Sequence, residues 1–132
     1  MIVIDSSALV AILDSEPEAP RFLDAIAGCA MSLLSAANLV ECAIVIESRY
    51  GEKGKHELDH FISRAGIEIA AVDAAQAELA RQAFRRYGKG RDRAGLNFGD
   101  CFAWALARAT GYPLLYKGGD FSHTDVESAL EK

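Results

Sequence analysis

The spacing of hydrophobic and polar positions changes several times along the chain, and each change marks an element. "IVI" (2–4) is a short β-branched run that reads as a buried strand. "SSALVAIL" (6–13) puts two serines at a helix start and then apolar residues at helical spacing. The break "DSEPEAP" precedes a predicted helix in "PRFLDAIAGCA" (20–30), and "MSLL" (31–34) reads as a second strand. Ser35 is placed to cap the helix "AANLVECAIVIESRY", which ends at Gly51, and "KGKHELDHFISRA" forms another amphipathic helix up to Gly66. "IEIAAV" (67–72) is a third strand. "DAAQ" (73–76) resembles a capping box whose helix runs through "AELARQAFRRY" to Gly88. After a basic, glycine-punctuated loop, Asn97 is placed to cap "FGDCFAWALARAT", closed by Gly111, and "PLLYK" (113–117) is the last clear strand before "GGDFSHTD".

Strands alternate with helices, without internal repeat, linker or low-complexity stretch. The pattern predicts a single α/β domain over residues 1–132, with a mostly parallel central sheet flanked by helices. In such sheets ligands bind beyond the carboxyl ends of the strands. Asp5 falls at that place, where strand one gives way to a helix.

Composition narrows the class. With 51% apolar residues among 132, the chain buries a core without metal or disulfide staples. Its apolar runs fall far short of the ~20 residues that span a bilayer, and "MIVID" has neither a basic leader nor a cleavage site, so no membrane attachment and a cytoplasmic location are expected. Cys29, Cys42 and Cys101 are odd in number and lack C-x-x-C spacing, and read as reduced core residues.

Charge adds an asymmetry. The chain has a net charge of −5, which argues against a general polyanion binder. Yet from Arg81 to Arg93 six cations (Arg81, Arg85, Arg86, Lys89, Arg91 and Arg93) face only Asp92, so this segment is +5 and the remainder −10.

Four carboxylates recur once per structural unit: Asp5 after strand one, Glu41 in the helix after strand two, Asp100 in a helix's first turn, and Asp120 after the last strand. Each alone has a structural reading. Asp5 can cap a helix, although Ser6 and Ser7 are available for that. Glu41 can be a rim residue, Asp100 can complete a capping box with Asn97, and Asp120 can be an ordinary turn residue. As a set they point elsewhere, because crowded carboxylates raise one another's pKa unless cations neutralise them. An oxygen-only set of this kind suits Mg²⁺ or Mn²⁺ rather than zinc.

The blocks "DSSALVAIL", "SAANLVECAIVIE", "AGLNFGDCFAWALA" and "PLLYKGGDF" resemble, in order and over nearly the whole chain, a PIN-domain ribonuclease, particularly the VapC toxins of bacterial toxin–antitoxin pairs. The resemblance implies that Asp5, Glu41 and Asp100 coordinate Mg²⁺ or Mn²⁺ and that the protein is a homodimer. It also implies a small VapB-like antitoxin that wraps the toxin and blocks its site. The apolar helices "PRFLDAIAGCA" and "AANLVECAIVIESRY" are candidate surfaces for these partners. One departure stands out. Where family members often read threonine, any residue, aspartate, any residue, aspartate, phenylalanine, the first aspartate aligns with Gly118 and the second with Asp120. Asp120 is then either a substitute ligand or a neighbour of the site.

The implied chemistry is attack by a metal-bound water on an RNA phosphodiester, leaving 5′-phosphate and 3′-hydroxyl ends. Ser7 would orient a ligand or phosphate and Asn97 would position Asp100, though both also serve as caps. The acidic site repels RNA, and "RRYGKGRDR" offers a positive path. Arg81 and Arg85 suit the helix dipole, while Lys89, Arg91 and Arg93 are candidate RNA contacts.

Competing motifs are weaker. "HELDH" (56–60) matches the H-E-x-x-H zinc pattern, but Lys55 and Asp59 make the segment an exposed amphipathic face and no third histidine lies nearby. A haloacid-dehalogenase-type phosphatase needs a second aspartate where Ser7 stands. A receiver domain would place a phosphorylated aspartate after strand three, where Asp73 is better read as a cap. Neither G-x-x-x-x-G-K-[ST] nor a G-x-G-x-x-G after a strand is present. The rival from another class is a PIN-like fold that has lost catalysis and binds RNA or protein, a reading Gly118 keeps open.

Overall fold

The computed structural model of the chain describes residues 1–130. Four parallel strands, β1 (Ile2–Ile4), β2 (Ser32–Ser35), β3 (Ile67–Ala70) and β4 (Leu114–Leu115), form one sheet in the order β3-β2-β1-β4. Around it lie α1 (Ser6–Leu13), α2 (Ala19–Ala27), α3 (Ala36–Ala65), α4 (Ala74–Tyr87) and α5 (Phe98–Thr110), with a short 3₁₀ turn at Phe121–His123.

Alternation along the strands splits the core between two faces. Ile2, Ile4, Leu34, Ile67 and Leu115 pack with Leu9, Phe22, Ile46 and Leu58 of α1, α2 and α3. Val3 and Leu114 pack on the opposite side with Ala83 of α4 and with Trp104 and Leu106 of α5. Both faces of the short parallel sheet are therefore covered, which explains why β1 reads as an unbroken apolar run.

The chain steps outward from β1 to β2 to β3 and then returns to β1's other side with β4. This reversal makes a crevice beyond the carboxyl end of β1, the position at which open α/β sheets take ligands. Asp5 is the next residue.

Element ends differ from expectation for local reasons. β3 stops at Ala70 rather than Val72, because it is an edge strand and residues 71–73 are exposed beyond its single neighbour. β4 keeps only two residues because Lys117 donates its backbone N–H to the Ser7 hydroxyl (2.9 Å) instead of to a ladder. α2 ends at Ala27, where Gly28 closes it. The expected break at Gly51 is a kink inside α3, with Gly51 at φ 64° and ψ −144°. Ser35, Asp73 and Asn97 cap α3, α4 and α5 as the sequence predicts, each accepting from a backbone N–H of the first turn.

Candidate active site

Asp5 is the N-cap of α1 and only 2% exposed. Its Oδ2 accepts the Ser7 N–H at 3.0 Å, while Oδ1 is buried with no hydrogen-bond partner. Burial is the main reason its pKa is pushed up to about 7; hydrogen bonding from Ser7 opposes this, and the Asp100 and Glu41 charges add to it.

Asp100 comes from the first turn of α5, fixed by a complete capping box. Asn97 Oδ1 accepts the Asp100 N–H (2.9 Å) and Asp100 Oδ2 accepts the Asn97 N–H (3.1 Å). The second carboxylate oxygen makes no hydrogen bond among the described residues. Burial pushes the Asp100 pKa up to about 6, against the Asn97 hydrogen bond and with help from the charges of Asp120 and Glu41. The cap and the chemistry are thus compatible uses of one side chain.

Glu41 is presented by the second turn of α3. Its carboxylate accepts from the Ser6 hydroxyl and from Asn38 Nδ2 (3.2 Å), and Asn38 Nδ2 also donates to the Gly99 carbonyl at 3.0 Å. Asn38 is fully buried and pins α3 to the start of α5. Asp5, Glu41 and Asp100 consequently line one cleft of about 330 Å³, together with Ser6, Ser7, Asn97, Glu16, Arg49 and Lys117.

The remaining predicted residues lie at different distances from this centre. The Ser7 hydroxyl accepts the Lys117 N–H, tying the start of α1 to the end of β4. Asp120 is exposed ahead of the 3₁₀ turn and does not line the cleft, although its charge is felt at Asp100. Lys89, Arg91 and Arg93 are exposed on the loop before Asn97, with Arg91 over the Phe84 ring, and none of them lines the cleft. Arg81 and Arg85 pair with Glu78 on their own helix. His56 and His60 are exposed on α3 while Leu58 between them is buried, and His56 pairs with Glu52.

Sequence reasoning missed Asn38, Arg49 and Lys117. Asn38 carried a signal, because it sits three residues before Glu41 on one helix and so shares its face. Arg49 and Lys117 carried none, since only the tertiary fold brings them to the cleft.

The donor set fits a hard cation. All its ligand atoms are oxygens, one of them the buried, unpartnered Oδ1 of Asp5, and two of its acids are held toward neutrality by burial and mutual repulsion that a cation would relieve. Among the described residues no group of three or more His, Cys, Asp and Glu side chains is drawn together tightly enough to grip one ion as it stands.

Comparison with known proteins places the chain. The PIN-domain family model matches residues 2–127. A ribonuclease VapC of Mycolicibacterium smegmatis is 57% identical over 125 residues, covering 95% of this chain and 97% of that protein. Ribonuclease VapC30 of Mycobacterium tuberculosis is 54% identical over 125 residues, with 95% of each chain covered. The crystal structure of Mycobacterium tuberculosis VapC20, described as a sarcin–ricin-loop-cleaving toxin, superposes with a TM-score of 0.78 at 19% identity over 96% of each chain. A toxin–antitoxin complex from Klebsiella pneumoniae gives a TM-score of 0.71 at 16% identity, covering 95% of this chain and 93% of that one. A single PIN fold, a cleft built from its aspartates and glutamate, and relatives of this closeness lead to one conclusion: the chain belongs to the VapC family of PIN-domain proteins.

Proposed function

We propose that this protein is an Mg²⁺-dependent endoribonuclease, Mn²⁺ serving as well, and the toxic half of a VapBC-type pair. The observation that carries the reading is the convergence of Asp5, Glu41 and Asp100 in one cleft at the carboxyl end of β1, in a chain more than half identical to named VapC ribonucleases. When bound, the ion supplies an activated water and charge stabilisation for the leaving 3′-oxygen. Asp5 offers its free Oδ1 to it, and Asp100 offers the oxygen left over from its capping box. Glu41, steadied by Ser6 and Asn38, faces the same space. Asn97 holds Asp100 in place and Ser7 holds the β4 end against α1. Asp120 acts on the site through its charge at Asp100. Lys89, Arg91 and Arg93 form an exposed cationic edge on the loop leading to Asn97, suited to the RNA flanking the cleft.

Partners follow from the same family. Several structural neighbours are toxin–antitoxin complexes. In this chain Val40 (58% exposed) and Ile44 (62% exposed) make an apolar pair one turn apart on α3, and Leu23 is exposed on α2. A VapB-like antitoxin or the second copy of a homodimer would cover them.

The test is incubation of antitoxin-free protein with structured RNAs in Mg²⁺ or Mn²⁺, beside EDTA and Asp5→Asn/Asp100→Asn controls, with the fragment ends mapped. Cleavage in the wild type alone, leaving 5′-phosphate ends, is the expected result. Equal inertness of folded wild type and double variant would favour a binding module that has lost catalysis, with Gly118 as its cause.

A further inference from the structure

Two cations line the carboxylate cleft, and neither belongs to the basic segment 81–93. Arg49 lies eight residues after Glu41 on α3, and Lys117 follows β4. Both are held by one acidic segment, the "DSEPE" stretch (14–18) between α1 and α2. Arg49 pairs with Asp14, which also accepts the Tyr50 hydroxyl. Lys117 Nζ pairs with Glu16, and Glu18 Oε1, buried and without a hydrogen bond, stands 3.5 Å from the same ammonium. The backbone of Lys117 is itself anchored, since its N–H donates to the Ser7 hydroxyl.

We infer that Arg49 and Lys117 are grips for RNA phosphates at the carboxylate cleft, and that the acids of 14–18 occupy them until RNA arrives. The inference rests on the ribonuclease reading above and deepens it. A polyanion entering a cleft lined by Asp5, Glu41, Asp100 and Glu16 meets repulsion that must be offset inside the cleft, and these are the two cations lining it. Their side chains are 51% and 38% exposed, so an incoming phosphate reaches both without unfolding anything. Phosphate is the better partner for the Arg49 guanidinium, whose planar fork takes two oxygens at once. Asp14 keeps the Tyr50 hydroxyl when Arg49 leaves it, which limits what the exchange costs the fold.

The experiment is fluorescence anisotropy of a fluorescein-labelled, mixed-sequence single-stranded RNA at a series of salt concentrations, using full-length Asp100→Asn protein as the cleavage-blocked parent. Adding Arg49→Gln and Lys117→Gln is expected to weaken binding about tenfold or more, and to reduce the slope of log affinity against log salt by about 1.4, at about 0.7 per lost phosphate contact on a single strand. Asp14→Asn in the same parent is expected to tighten binding more than Asp24→Asn, an equal charge change away from the cleft. The pair Arg49→Lys/Lys117→Arg should retain the parent's slope, which a purely structural role for the two ion pairs would not require. If the parent binds RNA and the Gln pair keeps its affinity and slope, this inference is overturned and the ribonuclease reading stands. If the parent binds no RNA at any salt, both are overturned.

Discussion

The Glu41 carboxylate occupies the space that a side chain on Gly99 would need: a Cβ there would overlap both of its oxygens. The first turn of α5 therefore holds a glycine against the acid that α3 delivers, and helix propensity gives way to the site. Alanine would favour the helix by up to about 1 kcal/mol were the space open. Gly99→Ala is expected to displace Glu41 and lower the single-turnover RNA cleavage rate at least tenfold, by order of magnitude, while the melting temperature changes little. Wild-type cleavage by this variant would remove Glu41 from the proposed chemistry.

Asn38 holds the same junction from the other side. Replacing it by alanine removes the amide donor that ties the Gly99 carbonyl to α3 and leaves Glu41 with the Ser6 hydroxyl alone. A loss of about 1–3 kcal/mol is expected in denaturant melts, accompanied by a fall in cleavage. A variant as stable as the wild type would mean that the α3–α5 junction does not depend on this amide.

Asp5 and Asp100 make folding pH-dependent. Their folded pKa values, about 7 and about 6, lie above the ordinary 3.8, so the folded cation-free protein holds protons that the unfolded chain has released. Stability contributed by the protonated acids is full below about pH 4 and is lost as pH rises through 6 and 7, up to roughly 4 kcal/mol for Asp5 at about 1.4 kcal/mol per tenfold change. In EDTA, the melting temperature is expected to be lower at pH 8 than at pH 5. Mg²⁺ should restore it at pH 8, and Asp5→Asn should flatten the dependence. Calorimetry in the two buffers decides; a melting temperature in EDTA that rises from pH 5 to 8 would contradict the raised values.

The Gly118 departure is built into the backbone. Gly118 has φ 96°, which side-chain-bearing residues rarely adopt. Gly118→Asp should thus cost about 1 kcal/mol or more in stability and leave Mn²⁺ affinity, followed by calorimetric titration, unimproved. Asp120→Asn should instead ease ionisation of Asp100, moving the acid limb of the cleavage–pH profile to lower pH, because the Asp120 charge is one of the influences that raise it. An unmoved limb would separate Asp120 from the site.

Most of what local chemistry decides was readable in the sequence; the cap of α1 was not, since Asp5 rather than Ser6 or Ser7 fills it. The caps Ser35, Asp73 and Asn97, the break at Gly51 and the placing of Asp5 after β1 all follow from residue type and neighbours alone. Strand ends were not readable, because β3 stops for want of a second partner and β4 stops because Ser7, more than a hundred residues away, takes the next N–H. At the site, three carboxylates could be named from their places after strands and in helix turns. Arg49 and Lys117 could not, because a cation whose neighbours in sequence are ordinary gives no hint of the cleft it will line. Position also separates the basic loop from the cleft, since none of Lys89, Arg91 and Arg93 lines it, a distinction that net charge along the chain does not make.

The pairing of β1 between β2 and β4 sets a timetable. Val3 donates its N–H to the Pro113 carbonyl and Asp5 donates its own to the Leu115 carbonyl, both at 2.9 Å. β1 is therefore completed by β4, which lies more than a hundred residues further along the chain. Until residue 115 has cleared the exit tunnel, Asp5 lacks the neighbour that orients its backbone, and until residue 100 has cleared it the cleft lacks a wall. A growing chain therefore cannot assemble the cleft, and with it the proposed activity, until β4 has joined β1.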